Sequence, residues 1–113
     1  MIIAVGIDIV EIARIEKAIK KQEFAEKLFS PEELRDSSSA EHVAGRWAAK
    51  EAIAKALPIT IAWRDIEVFN HESGAPYVRF RDKVDIKPGW RVHISITHEK
   101  GYAAAVAVLE DSQ

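Results

Sequence analysis

Asp8 lies inside an otherwise apolar run, Ile2-Ile3-Ala4-Val5-Gly6-Ile7-Asp8-Ile9-Val10. A carboxylate in such a run must be hydrogen-bonded, ion-paired or bound to a metal, because burying it alone is too costly. The plain alternative is a structural acid that caps a helix or pairs with an arginine. A second cluster is Gly45-Arg46-Trp47-Ala48-Ala49-Lys50-Glu51-Ala52-Ile53-Ala54-Lys55, where Trp47, Glu51 and Lys55 recur every fourth residue and share a helix face. Its plain alternative is an exposed Glu51–Lys55 ion pair worth about 0.3–0.5 kcal/mol. A third is His93-Ile94-Ser95-Ile96-Thr97-His98, whose polar side chains suit phosphate oxygens. Zinc would want a further nitrogen or sulfur ligand at matched spacing, which His42 and His71 do not give. The plain alternative there is a sheet face open to water. Magnesium prefers one or two carboxylates with substrate phosphates completing its shell. Lacking a P-loop glycine signature, these residues point away from that type of ATPase and towards a Mg²⁺-dependent reaction on a phosphoryl group.

The elements that must position these groups can be read in order. Residues 2–10 form a β-branched run that predicts a strand buried on both faces. Ile12, Ile15 and Ile19 follow at helical spacing, with Arg14, Lys17 and Lys21 aligned on the opposite side. Phe24, Leu28 and Phe29 suggest a short apolar helix, and Ser30-Pro31-Glu32-Glu33 is a capping box that opens another. Ser37-Ser38-Ser39 is the clearest loop. Ser38 with Glu41 repeats the capping box before the longest helix, about 40–57, closed by Pro58. On a helical wheel Arg46 and Lys50 fall among Val43, Ile53 and Leu57, so that helix has no purely apolar side. Its alanines at 44, 48, 49, 52, 54 and 56 let other backbone approach closely. Residues 65–69 and 77–81 read as strands around the turn-rich 70–76, and Lys87-Pro88-Gly89 breaks the chain before a strand at 90–97. There Val92, Ile94 and Ile96 alternate with His93, Ser95 and Thr97. A last, alanine-rich strand spans 102–109. The expected fold is one α+β domain over residues 1–113, with helices early and antiparallel strands late.

The totals agree. The chain has 113 residues, 48% hydrophobic and 30% charged, with a net charge of −2. That predicts a packed domain, yet one small enough to bury only roughly 60–70% of its unfolded surface and to gain from an oligomer. The absence of cysteine excludes a disulfide scaffold, a thiolate zinc site and a cysteine nucleophile. Near-neutral charge argues against broad nucleic-acid binding. No segment reaches the ~18 apolar residues of a membrane span, and the start lacks a basic n-region, so a cytoplasmic protein is expected.

In their order along the chain, several blocks resemble the holo-[acyl-carrier-protein] synthases, the short bacterial type of 4′-phosphopantetheinyl transferase. The blocks are Gly6-Ile7-Asp8-Ile9-Val10 with Arg14, Phe24 to Leu34, Ala44 to Ala52 with Lys55, Gly74-Ala75-Pro76-Tyr77, and Val92 to His98. The resemblance implies that family's fold, an antiparallel sheet packed against a long helix and shorter helices. It implies transfer of 4′-phosphopantetheine from coenzyme A to a serine of apo acyl carrier protein, releasing adenosine 3′,5′-bisphosphate. Asp8 and Glu51 would hold Mg²⁺, and Lys55 would place a point charge near the pyrophosphate. The base for the carrier serine would be Glu51, Asp8 or a water the metal orients. His98, Thr97 and Ser95 would meet coenzyme A phosphates, while Arg46 and the Ser73-Gly74-Ala75-Pro76 turn would take the adenine and 3′-phosphate. Arg14, Lys17 and Lys21 would dock the acidic carrier protein, and the family implies a homotrimer with active sites at subunit interfaces.

Two departures stand out. Ala75 occupies a position where relatives often carry Lys or Arg, and Asp36-Ser37-Ser38-Ser39 lacks their basic residues; both remove contacts to the 3′-phosphate. Two other readings remain: another Mg²⁺-dependent enzyme acting on a pyrophosphate, and a non-catalytic oligomeric module binding carrier protein or nucleotide.

Overall fold

The computed structural model describes residues 1–37 and 39–113. In chain order the elements are β1 (Ile2–Glu11), α1 (Ile12–Ala18), α2 (Gln22–Leu28), α3 (Pro31–Asp36) and α4 (Ala40–Ala56). A 3₁₀ turn at Trp63–Asp65 then leads to β2 (Ile66–Asn70), β3 (Pro76–Phe80), β4 (Trp90–Glu99) and β5 (Tyr102–Asp111). The strands make two antiparallel sheets, β1-β5-β4 and the β2-β3 hairpin. This is the expected α+β fold, with strand ends moved by one or two residues.

The long helix α4 lies across one face of the three-stranded sheet. Ala48, Ala49, Ala52, Ile53 and Ala56 meet Ala105, Ala107 and Leu109 of β5 in the main core. Small side chains on both elements bring the two backbones close, as the alanine content predicted. The closest approach is at Gly6 of β1, where a Cβ would stand 2.0 Å from the Ala52 carbonyl oxygen. Only glycine fits there. A second cluster joins α1 and α2 to the N-terminal half of α4 through Ile12, Ile15, Leu28, Phe29, Val43 and Trp47.

The other face of β1 corrects the sequence reading. Ile3, Val5, Ile7 and Ile9 are 40–69% exposed, so the strand is covered on one side only. Ser95 and Thr97 of β4 share this open face, because Ser95 pairs with Val106 and Val106 with Ile7. A β-branched run carries no sign of which face a single chain leaves uncovered.

Caps account for the helix boundaries. Ser30 and Glu33 form the expected capping box on α3. On α4 the cap is Ser39, whose Oγ accepts from the His42 N–H at 3.1 Å. The capping role read for Ser38 lies outside the described residues. Lys21 does not continue the α1 stripe, since α1 ends at Ala18 and Lys21 is the N-cap of α2.

Candidate active site

The tight contact at Gly6 sets Asp8, two residues further along β1, against the C-terminal half of α4. Lys55 donates to Asp8 Oδ1 at 3.0 Å and to the Ile7 carbonyl at 2.9 Å. The Glu51–Lys55 pair suggested by spacing is therefore not the one formed. The Asp8 side chain is only 10% exposed, and its Oδ2 is buried with no partner among the described residues. A carboxylate oxygen left unpaired in such a place is costly, and it calls for a cation or for a proton shared with the neighbouring Glu51 carboxyl.

Glu51 stands beside it. Burial first, then the adjoining Asp8 carboxylate, push the Glu51 carboxyl up to about 7, against the opposing charges of Lys55 and Arg14. Two acids that favour one shared proton are also a pair that a divalent cation can displace that proton from. Among the described residues no three His, Cys, Asp or Glu side chains gather into a metal cage. The donor set thus suits a hard cation that takes its remaining oxygens from a substrate. A small cavity of about 150 Å³ opens next to Glu51, lined also by Trp47 and by Arg14 of α1. Arg14, read from sequence as a docking residue alone, also borders the carboxylate pair.

A second cavity, of about 350 Å³, lies by the N-terminal half of α4. It gathers Arg46, Gly74, Pro76 and His98, which sequence had placed at one ligand. Ser95 and Thr97 do not join them, because alternation along β4 turns them to the open sheet face while Ile96 and His98 line the cavity. The structure adds His42 and Asn70 to the lining. His42 is four residues before Arg46, and that helical spacing was the available signal. Burial, with Arg46 nearby, lowers the His42 pKa, and its Nε2 is buried without a partner among the described residues.

Arg46 is 1% exposed and already engaged. Its Nη2 donates to Asp36 Oδ2 at 2.7 Å and to Asn70 Oδ1 at 3.2 Å, and its guanidinium lies 5.6 Å from the Phe69 ring centroid. Lys50, completely buried, donates to Glu33 Oε1 at 2.6 Å and to the Leu28 and Trp63 carbonyls at 2.7 and 2.9 Å. The wheel left this helix without a purely apolar side; the structure shows that both cations on it are buried. By rise, Arg46 and Glu51 are roughly 7.5 Å apart along α4, so one extended ligand can reach from the cavity to the carboxylate pair.

Comparison with known proteins gives the family. The sequence matches the 4′-phosphopantetheinyl transferase superfamily over residues 4–107. It is 39% identical to the holo-[acyl-carrier-protein] synthase of Fusobacterium nucleatum subsp. nucleatum, over 96% of this chain and 99% of that one. The synthase of Shouchella clausii is 40% identical, over 97% and 99% of the two chains. Among solved structures, the Bacillus anthracis holo-(acyl-carrier-protein) synthase in complex with CoA (3′,5′-ADP) superimposes with a TM-score of 0.82 at 37% identity, covering 99% of each chain. The holo-ACP-synthase of Plasmodium yoelii gives 0.84 at 31% identity, over 100% and 98% of the two chains. With relatives matched from end to end, the chain belongs to the 4′-phosphopantetheinyl transferase superfamily.

Proposed function

We propose that the protein is a holo-[acyl-carrier-protein] synthase, moving 4′-phosphopantetheine from coenzyme A to a serine of apo acyl carrier protein and releasing adenosine 3′,5′-bisphosphate. The observation that carries the site assignment is the orphaned, buried Oδ2 of Asp8 beside Glu51. Asp8 and Glu51 would hold Mg²⁺, which would supply polarisation of the attacked phosphate and a counter-charge for the leaving group. Lys55, tethered to Asp8 with an exposed stem, keeps a positive charge at the edge of the pair, where pyrophosphate oxygens arrive. Glu51, beside Asp8 at the edge of the small cavity, or a water that it orients, would take the serine proton. Arg46, Gly74, Pro76 and His98 hold the nucleoside end of coenzyme A in the larger cavity.

Arg14 and Lys17 on the exposed side of α1, together with the separate Lys21 at the N-cap of α2, form the docking surface for the acidic carrier protein. Complementary charge there raises the rate of association more than the final affinity. The open apolar face of β1 supports a homotrimer, in which Ser95 and Thr97 lie at the subunit contact beside a neighbouring site. No helix of the described residues is long and apolar enough to cross a membrane, and the proposed setting is the cytoplasm.

Intact-mass spectrometry of an apo acyl carrier protein, incubated with this protein, coenzyme A and Mg²⁺, tests the reaction. A gain of one phosphopantetheine arm that disappears with EDTA is expected. Pyrophosphate cleavage without a mass gain would instead favour the hydrolytic reading, and no reaction with several carrier proteins would favour a binding module.

A further inference from the structure

The guanidinium that borders the larger cavity is already answered by an anion of the chain itself. Arg46 Nη2 is shared between Asp36 at 2.7 Å and Asn70 at 3.2 Å, and its Nη1 faces the Glu33 carbonyl at 3.4 Å. Its Nε is buried with no partner among the described residues. Asp36 approaches from the last turn of α3, from a neighbouring cavity that also holds Arg35, Asn70 and Tyr77. Its side chain is 57% exposed, so it can leave the guanidinium for water without disturbing the core.

Apart from His98 and the Ser39 hydroxyl, the rest of the lining does little to attract a second negative group. Glu41 contributes another carboxylate, Ile96 and Pro76 are apolar, and Ala75 adds no charge to the turn. His42, whose pKa is lowered by burial and by Arg46, adds no positive charge near neutral pH. Asp36, held well below the usual carboxylate range by its hydrogen bond to Arg46, stays ionised. A phosphate monoester entering here meets one buried cation and a carboxylate already bound to it. Like charges brought together in this way cost affinity.

We infer that Asp36 is a specificity-determining residue, an internal competitor for Arg46 that makes this enzyme discriminate only weakly between coenzyme A and its 3′-dephosphorylated form. The inference rests on the coenzyme A reading above for the nucleotide that fills the cavity. It concerns selectivity, not the reaction.

Calorimetric titration with adenosine 3′,5′-bisphosphate and adenosine 5′-monophosphate tests it without turnover. The wild-type protein prefers the bisphosphate by less than about tenfold. Asp36→Asn widens that preference by about three- to fivefold, the scale of an exposed ion pair, by tightening the bisphosphate alone. Asp36→Glu keeps the wild-type ratio. In steady-state transfer with coenzyme A and 3′-dephospho-coenzyme A, the same change is read in the ratio of KM values, with kcat unmoved. An unchanged ratio in Asp36→Asn, a loss of affinity for both nucleotides, or no binding of either to the wild type overturns the inference. If Asp36→Asn does not fold, Asp36→Ser carries the same comparison. Nucleotide binding with no transfer to any carrier protein counts against the proposed reaction, while the binding ratio still decides the role of Asp36.

Discussion

Lys50 and Glu51 are neighbours on α4, yet they belong to opposite kinds of ionic cluster. The Lys50 ammonium donates to three acceptors, Glu33 and two backbone carbonyls, and the Glu33 carboxylate takes the remaining donors of Ser30 and Val68. Among the described residues this cluster leaves no buried side-chain polar atom unpaired. Glu51, by contrast, faces an Asp8 whose Oδ2 has no partner among the described residues, next to a cavity. The sealed cluster ties α4 to α3, β2 and the end of α2, whereas the open one keeps capacity for a cation. A saturated buried network specifies structure, and an undersaturated one at a cavity edge marks chemistry.

The largest expected effects come from the open cluster. Asp8→Ala and Glu51→Ala each lower Mg²⁺-dependent transfer by roughly a thousandfold or more, the scale of losing an electrostatic element of catalysis. Both fold normally by circular dichroism. Transfer at the wild-type rate in both variants would sink the metal assignment. In the sealed cluster the pattern reverses. Lys50→Ala leaves Glu33 buried without its counter-charge and costs about 3–5 kcal/mol in urea unfolding. Glu33→Gln combined with Lys50→Met recovers part of that loss, because it removes both charges together.

A smaller effect reads the two acids directly. Glu51 keeps a proton in the folded state up to about pH 7, whereas the unfolded side chain releases it near its ordinary value of 4.5. Its contribution to stability is therefore present at low pH and is lost as pH rises through about 7. In EDTA the wild type loses thermal stability relative to Glu51→Gln across that window, and Mg²⁺ reverses the trend at the upper end. Parallel melting curves for the two proteins would refute the carboxylate pair. Smallest of all, Lys17→Glu with Lys21→Glu raises KM for the carrier protein several-fold, an effect that fades with added salt. Equal KM values at low ionic strength would move the docking surface elsewhere.

Much of this contrast was legible in the sequence. Arg46 and Lys50 among apolar wheel positions marked a helix with no purely apolar side, and Asp8 in a β-branched run announced a constrained acid. The alanines foretold the close packing of α4. What could not be read was which partner each charge takes. Spacing favoured Glu51–Lys55, but the tertiary contact at Gly6 gives Lys55 to Asp8 instead. The alternation along β4 was itself legible, and it separates Ser95 and Thr97 from His98, which the family resemblance had grouped at one ligand. The open face of β1 escaped for another reason. An apolar run predicts that both sides seek cover, and it does not say that the cover lies within the same chain.

The glycine at position 6 has a mechanical consequence. Where helix and strand touch through backbone alone, no rotamer can relax and no methyl group can be compressed. The spacing between Asp8 and Glu51 is then governed by main-chain dimensions, which are stiffer than side-chain packing. The two acids thus stand on a backbone frame held close by the absence of an atom.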